Sequence, residues 1–177
     1  MDGYNVCIMS YGQTGAGKTY TMVGDDRSPG LYFSSVDELY RQMKSDKKRE
    51  IEYDLSVSVV EVYNEQVRDL LLKDQAQNEV KLLENRDGHL FANQVKRKAS
   101  SRNQVLRALR DACYNRTVGV TEFNEYSSRS HFIMTLYITG YNKLTRQVFQ
   151  GKLSLVDLAG SERILRTNAE GIRIREA

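Results

Sequence analysis

Gly12-Gln13-Thr14-Gly15-Ala16-Gly17-Lys18-Thr19 sets a glycine, four residues and then Gly-Lys-Thr in one run, the pattern of a phosphate-binding loop. The spacing has a physical reason: glycines let the backbone fold tightly, so that successive amides point inward at a β-phosphate. A helix starting near Lys18 adds the positive end of its dipole. Lys18 supplies a point charge for the β- and γ-phosphates, and the Thr19 hydroxyl can ligate Mg²⁺. Further along, Asp157-Leu158-Ala159-Gly160-Ser161-Glu162 follows an apolar strand, Leu153 to Val156. An aspartate leaving a strand beside such a loop is placed to hold Mg²⁺ through water, and Gly160 offers a backbone amide where a γ-phosphate would lie. The polar segment Asn124 to His131 sits between a helix pattern and a strand pattern. Taken singly, these last two segments read equally well as ordinary turns.

The loop acts only where a buried strand delivers it and a helix receives it. Asn5 to Tyr11 is a short apolar run ending at Gly12, read as a strand buried on both faces, and the helix from Lys18 follows. Gly24 to Gly30, with Asp25, Asp26, Ser28 and Pro29, interrupts that helix before Ser35 to Met43 resumes it with Val36, Leu39, Tyr40 and Met43 at helical spacing. The charged stretch Lys44 to Glu50 reads as a solvated connector, and Tyr53 to Tyr63, rich in β-branched residues, as a long strand. Ser101 caps a helix whose stripe is Val105, Leu106, Leu109, Ala112 and Cys113. Phe132 to Ile138 and Val148 to Val156 are expected to form an antiparallel hairpin turning around Gly140 to Thr145. Strands mixed with helices in this order imply one domain of α/β class, a three-layer mixed sheet flanked by helices.

Bulk composition agrees with a globular domain: 177 residues, 40% hydrophobic and 28% charged, with a single proline. No apolar run approaches a membrane span, and no signal peptide is visible. Cys7 and Cys113 lie in apolar segments and read as two reduced core thiols rather than a disulfide. His89 and His131 have no ligand-spaced neighbours, which argues against zinc. A net charge of +3 is too small to announce nucleic-acid binding, but the basic residues cluster. One cluster is Lys96-Arg97-Lys98 with Arg102, Arg107 and Arg110, and another is Arg163, Arg166, Arg173 and Arg175. Each is most simply a solvated face.

Four ordered motifs together resemble one family, the kinesin motor domain. They are Tyr11 to Met22 around the phosphate loop, Glu61-Val62-Tyr63-Asn64-Glu65 with Asp69-Leu70-Leu71, Asn124 to His131, and Leu155 to Arg163. The resemblance covers nearly the whole chain and implies a partial motor domain with the sheet of a phosphate-loop nucleotide hydrolase, running from that loop through switch II and the loop after it. It implies ATP and Mg²⁺ as ligands, with Gly12, Gln13, Thr14, Gly15, Ala16, Gly17, Lys18, Thr19 and Tyr20 around the nucleotide, Tyr20 near the adenine. Ser127 and Ser128 look like the switch I serines that sense the γ-phosphate, order the attacking water and, with Thr19 and Asp157, help hold Mg²⁺. Arg129 and Glu162 look like the salt-bridged latch that closes switch I on switch II, and Gly160 like the switch II glycine that reports the γ-phosphate. The implied partner is the microtubule, and the implied setting the cytoplasmic cytoskeleton. Tubulin's acidic surface makes Arg163, Arg166, Arg173, Arg175 and the Lys96, Arg97, Lys98 run candidates for electrostatic docking.

Relative to the family, a first strand is expected before Met1, while the main microtubule-binding helix, the neck and any dimerising coiled coil are expected after Ala177. After the loop glycine many members read Ile-Pro-Arg, whereas this chain reads Gly30-Leu31-Tyr32-Phe33, the mark of a divergent member. Two other readings fit the sequence less well. A signalling GTPase lacks support because no Asn-Lys-x-Asp segment occurs: Asn142-Lys143-Leu144-Thr145 fails at its last position. A nucleotide- or microtubule-binding module that does not cycle is opposed for the parent protein, though not for this segment by itself, by the intact Lys18, Thr19, Ser128, Arg129, Asp157 and Glu162.

Overall fold

A computed structural model describes residues 3–25, 27–72, 78–84, 90–117, 126 and 128–162. In chain order the elements are β1 (Asn5–Ser10), α1 (Lys18–Val23), α2 (Leu31–Asp46), β2 (Ile51–Tyr63), β3 (Gln66–Asp69), β4 (Leu82–Glu84), β5 (Leu90–Ala92), β6 (Arg97–Lys98), α3 (Arg102–Thr117), β7 (His131–Asn142) and β8 (Val148–Asp157). The main sheet runs β1-β8-β7-β2-β3, with β6 pairing β2, while β4 and β5 form a separate ribbon. β1 lies parallel to β8, and β7 runs antiparallel to both of its neighbours, β2 and β8.

Register explains the core. Val57 faces Leu136 and Val59 faces Met134, while Leu136 and Met134 in turn face Leu153 and Leu155, so one face of the sheet carries an unbroken apolar row. Met22, Tyr32, Val36 and Leu39 from α1 and α2, and Val105, Leu106, Leu109 and Ala112 from α3, pack on that row as a single cluster. Each large apolar side chain so buried contributes about 1.5–3 kcal/mol before its ordering cost. The mixed sheet flanked by helices is therefore the architecture expected from the sequence. Ser101 starts α3 as predicted, its carbonyl accepting from the amides of Gln104 and Val105.

Several local expectations change. β1 is not buried on both faces: Val6 is 47% and Met9 56% exposed. Among the described residues it pairs only with β8, so its apolar run sits at the sheet edge. Cys7 is correspondingly exposed rather than a core thiol, because it aligns with Ser154 on the face away from the helices. Cys113 is partly buried, and both cysteines are free. The connector Lys44 to Glu50 begins as helix, and Asp46 within it is buried, accepting hydrogen bonds from Gln42 Nε2 (3.1 Å) and Tyr53 Oη (2.6 Å). α2 starts four residues earlier than predicted, at Leu31, which brings Tyr32 into the core edge-on to Phe132.

Gly140 is a strand residue, not part of the turn. A Cβ there would come within 2.1 Å of the Phe149 ring, which crosses the glycine and meets Tyr53 edge-on. The turn itself is organised by Asn142, whose Oδ1 accepts from the amides of Leu144 (2.9 Å) and Thr145 (3.1 Å). The segment Glu61 to Glu65 closes the β2–β3 hairpin, with Asn64 and Glu65 both at positive φ (48° and 61°) as a two-residue mirror-image turn requires.

Candidate active site

Parallel pairing of β1 with β8 is what assembles the site. Ser10 and Asp157 are register partners at the ends of their strands, so the phosphate loop and the Asp157–Glu162 segment leave the sheet from the same edge. β7 runs antiparallel to β8 with Phe132 opposite Asp157, so the chain carrying Ser128 to Ser130 enters β7 at that edge too. Open α/β sheets place ligand sites at the carboxyl ends of their parallel strands for this reason.

Within the phosphate loop Gly15 and Gly17 take φ of 80° and 85°, and the left-handed Gly17 is the N-cap of α1. A side chain at either position would be strained, so the glycines that the loop pattern demands are those the backbone uses. Lys18 Nζ donates to Gln13 O across the loop (2.9 Å). Asp157 is almost fully buried and receives two hydroxyls, Thr19 Oγ1 at Oδ2 (2.7 Å) and Ser10 Oγ at Oδ1 (3.0 Å). This donor set fits Mg²⁺. The ion takes few protein ligands, one or two carboxylates or hydroxyls, and completes its shell with water and substrate phosphates.

The two other segments close onto the loop. Gly160 N donates to Ser128 O (2.7 Å), and Ser161 N donates to Gly12 O (3.0 Å). Thr14 donates to Glu162 through its amide (3.0 Å) and also through its hydroxyl. The Thr14 hydroxyl, helped by the nearby Lys18 charge, holds the Glu162 carboxyl below the ordinary glutamate range. A Cβ on Gly160 would meet Glu162 Oε2 at 2.4 Å and Thr14 Oγ1 at 2.5 Å, so glycine is what lets these groups converge. In this conformation the Gly160 amide is engaged by Ser128 and the Glu162 carboxylate by Thr14. Arg129 lies half-buried beside Ser128 in the same short helical turn.

Other predicted site residues stand apart from this centre. Tyr20 is 57% exposed on α1, with its hydroxyl 3.3 Å from Asp25 Oδ2. Lys96 lies 4.2 Å over the Tyr137 ring, Arg97 bonds Asp111 (2.9 Å) and Leu71 O (3.0 Å), and Lys98 pairs with Asp54 (2.9 Å). Each of these three cations thus has a partner within the chain, the ordinary fate of a surface charge. Ser127 and the arginines Arg163, Arg166, Arg173 and Arg175 lie outside the described residues.

Sequence reading missed His131, whose Nδ1 accepts from Ala159 N (2.9 Å) and ties the start of β7 to the segment after β8. Accepting at Nδ1 requires a neutral ring, and burial lowers the His131 pKa from its usual 6.5. Because the folded-state value is the depressed one, the unfolded chain takes the proton first. The resulting stability is present above about pH 6.5 and is lost as the pH falls through the lower folded value. Thermal melts from pH 7.5 to 5 should therefore show a larger fall in Tm for the parent than for His131→Asn, which keeps an acceptor near the Nδ1 position. Parallel curves for the two proteins would remove His131 from the acid response.

A family model for the kinesin motor domain matches residues 1–177. The kinesin-like protein KIN-14R of Arabidopsis thaliana is 40% identical over 178 residues, covering 100% of this chain and 16% of that protein. KIN-14P of the same plant is 42% identical over 184 residues, covering 100% of the chain and 18% of its own length. Among solved structures, one described as a fast kinesin superposes with a TM-score of 0.85 at 36% identity, covering 96% of this chain and 49% of that one. The motor domain of Saccharomyces cerevisiae Kar3 gives 0.76 at 36% identity, covering 92% and 49%. The chain thus spans under a fifth of these two curated relatives and about half of these two solved chains. On the sequence match over its full length and on the shared fold, this chain belongs to the kinesin motor domain family.

Proposed function

We propose that this segment is the nucleotide-sensing core of an ATP-hydrolysing motor that works on microtubules. The observation that carries this reading is the convergence at one sheet edge: Thr19 Oγ1 2.7 Å from Asp157 Oδ2, Gly160 N on Ser128 O at 2.7 Å, and Thr14 N on Glu162 at 3.0 Å. Three chain segments that would each touch a different part of a Mg²⁺-bound triphosphate are already in contact with one another.

Loop amides and Lys18 would hold the β- and γ-phosphates, and Thr19, Ser128 and Asp157 would hold the metal. Bound there, Mg²⁺ would neutralise the charge that develops on the transferred phosphoryl group. Ser127 and Ser128 position the attacking water. A γ-phosphate competes for the Gly160 amide now given to Ser128, which is how one phosphate can shift switch II. Closing the latch would bring Glu162, held here by Thr14, together with Arg129. Membership of the family and intact motor motifs support microtubules as the track, and the cytoskeleton as the place of action.

The reading is tested in the full-length protein by steady-state ATPase with and without microtubules, for which stimulation is expected. Replacing Arg163, Arg166, Arg173 and Arg175 by Ala should weaken microtubule cosedimentation and flatten its salt dependence, while nucleotide binding stays unchanged. Exposed charges act over about 8–10 Å at physiological salt, so their contribution shows in a salt series. Superimposable salt curves would take these arginines out of the interface. An absence of ATP turnover in the presence of microtubules would overturn the motor reading itself.

A further inference from the structure

One buried carboxylate grips both shoulders of the turn that carries Ser128 and Arg129. Glu61, from β2, is 1% exposed and shares the inward register of Leu55, Val57 and Val59. Its Oε1 accepts from Arg116 Nε (3.0 Å) and its Oε2 from Tyr126 Oη (2.7 Å). Arg116, 8% exposed at the end of α3, donates through Nη2 to Ser130 Oγ (2.7 Å), and its guanidinium lies 5.3 Å from the centre of the Phe132 ring. The Tyr126 ring packs 4.4 Å from Tyr63, and burial, then the bond to Glu61, raises its phenol pKa so that it remains a donor. Tyr126 thus fixes the turn on one side and Ser130 on the other. Between them, Ser128 O receives the Gly160 amide.

The geometry points to Glu61 and Arg116 as positioning residues for nucleotide hydrolysis: through Tyr126 and Ser130 they set where Ser128 and Arg129 stand relative to the phosphate loop. A buried pair is seldom worth its desolvation as a source of stability alone, whereas its directional bonds specify one arrangement. Among the described residues none of the four side chains hydrogen-bonds the loop, so they bear on turnover rather than on ATP affinity. The inference rests on the function proposed above.

Removing a member of the buried pair can unfold the domain, so the test uses the two shoulders in the full-length protein. Tyr126→Phe keeps the ring and loses only the hydroxyl, and Ser130→Ala loses only the Arg116 acceptor. Each should lower microtubule-stimulated kcat about tenfold, as small displacements of positioned groups do, with the ATP dissociation constant unchanged. The double variant should fall short of the product of the two effects, because both act on one turn. Parent-like kcat in both variants overturns the proposal while the function stands. Losses of kcat and ATP affinity that track a lowered Tm reduce the network to structural support and overturn it too. A parent without turnover defeats the function reading, and this proposal with it.

Discussion

Lys18→Ala is expected to lower ATP affinity about a hundredfold or more while the protein remains folded. In this structure Lys18 Nζ bonds only a loop carbonyl, Gln13 O at 2.9 Å, a contact whose loss costs the fold little. Against a triphosphate the same ammonium opposes several negative charges at close range. Truncating one side of such a pair typically costs about 2–5 kcal/mol, and each 1.4 kcal/mol is a tenfold change in affinity. The loop amides and the α1 dipole survive the substitution, so residual binding should be weak rather than absent. Calorimetric titration with Mg·ATP, beside a melt of the nucleotide-free protein, separates the two effects. Undiminished affinity would mean that the amides alone carry the phosphates.

For Glu162→Ala, the expected outcome is retained ATP binding with microtubule-stimulated turnover reduced about a hundredfold, the usual cost of leaving a reacting group roughly an ångström out of place. Glu162 is held by Thr14 through both the amide and the hydroxyl, so in this conformation it braces the phosphate loop. Its transfer to Arg129 would close switch I over the nucleotide, and an interaction made only in the reactive state raises kcat without tightening ground-state binding. Alanine can do neither. Freed of the carboxylate, the loop should accept ATP at least as well as the parent. Thr14→Val isolates the brace: it removes the hydroxyl contact to Glu162 yet leaves the latch, and should retain most of the turnover. Normal kcat in Glu162→Ala would refute the latch.

Motifs whose meaning is local were legible from the chain alone. A phosphate loop needs glycines at positive φ and a lysine and threonine at the start of a helix, conditions met within eight residues, so Gly15, Gly17, Lys18 and Thr19 could be assigned without tertiary knowledge. The α3 stripe, the β7–β8 hairpin and the long β2 strand were legible for the same reason: period and turn chemistry are short-range. Glu61 offered a signal that went unread, a charged residue on the inward register of a strand otherwise apolar on that side.

Contacts between distant segments were not legible. Ser10 with Asp157, Thr14 with Glu162, His131 with Ala159 and Glu61 with Arg116 and Tyr126 join positions 28 to 148 residues apart, and no local preference encodes which partner a polar side chain will find. Exposure of β1 and Cys7 was likewise decided by their place at the sheet edge, which an apolar run cannot reveal. Gly140 read as a turn because glycine favours turns, yet a ring from the neighbouring strand claims its missing side chain. Sequence by itself determined the phosphate-loop pattern and most of the elements that bear it, since backbone geometry and hydrophobic period act over a few residues. Only the tertiary structure decided how the phosphate loop and the segments around Ser128 and Gly160 engage one another, because strand register and burial bring together groups that the chain keeps far apart.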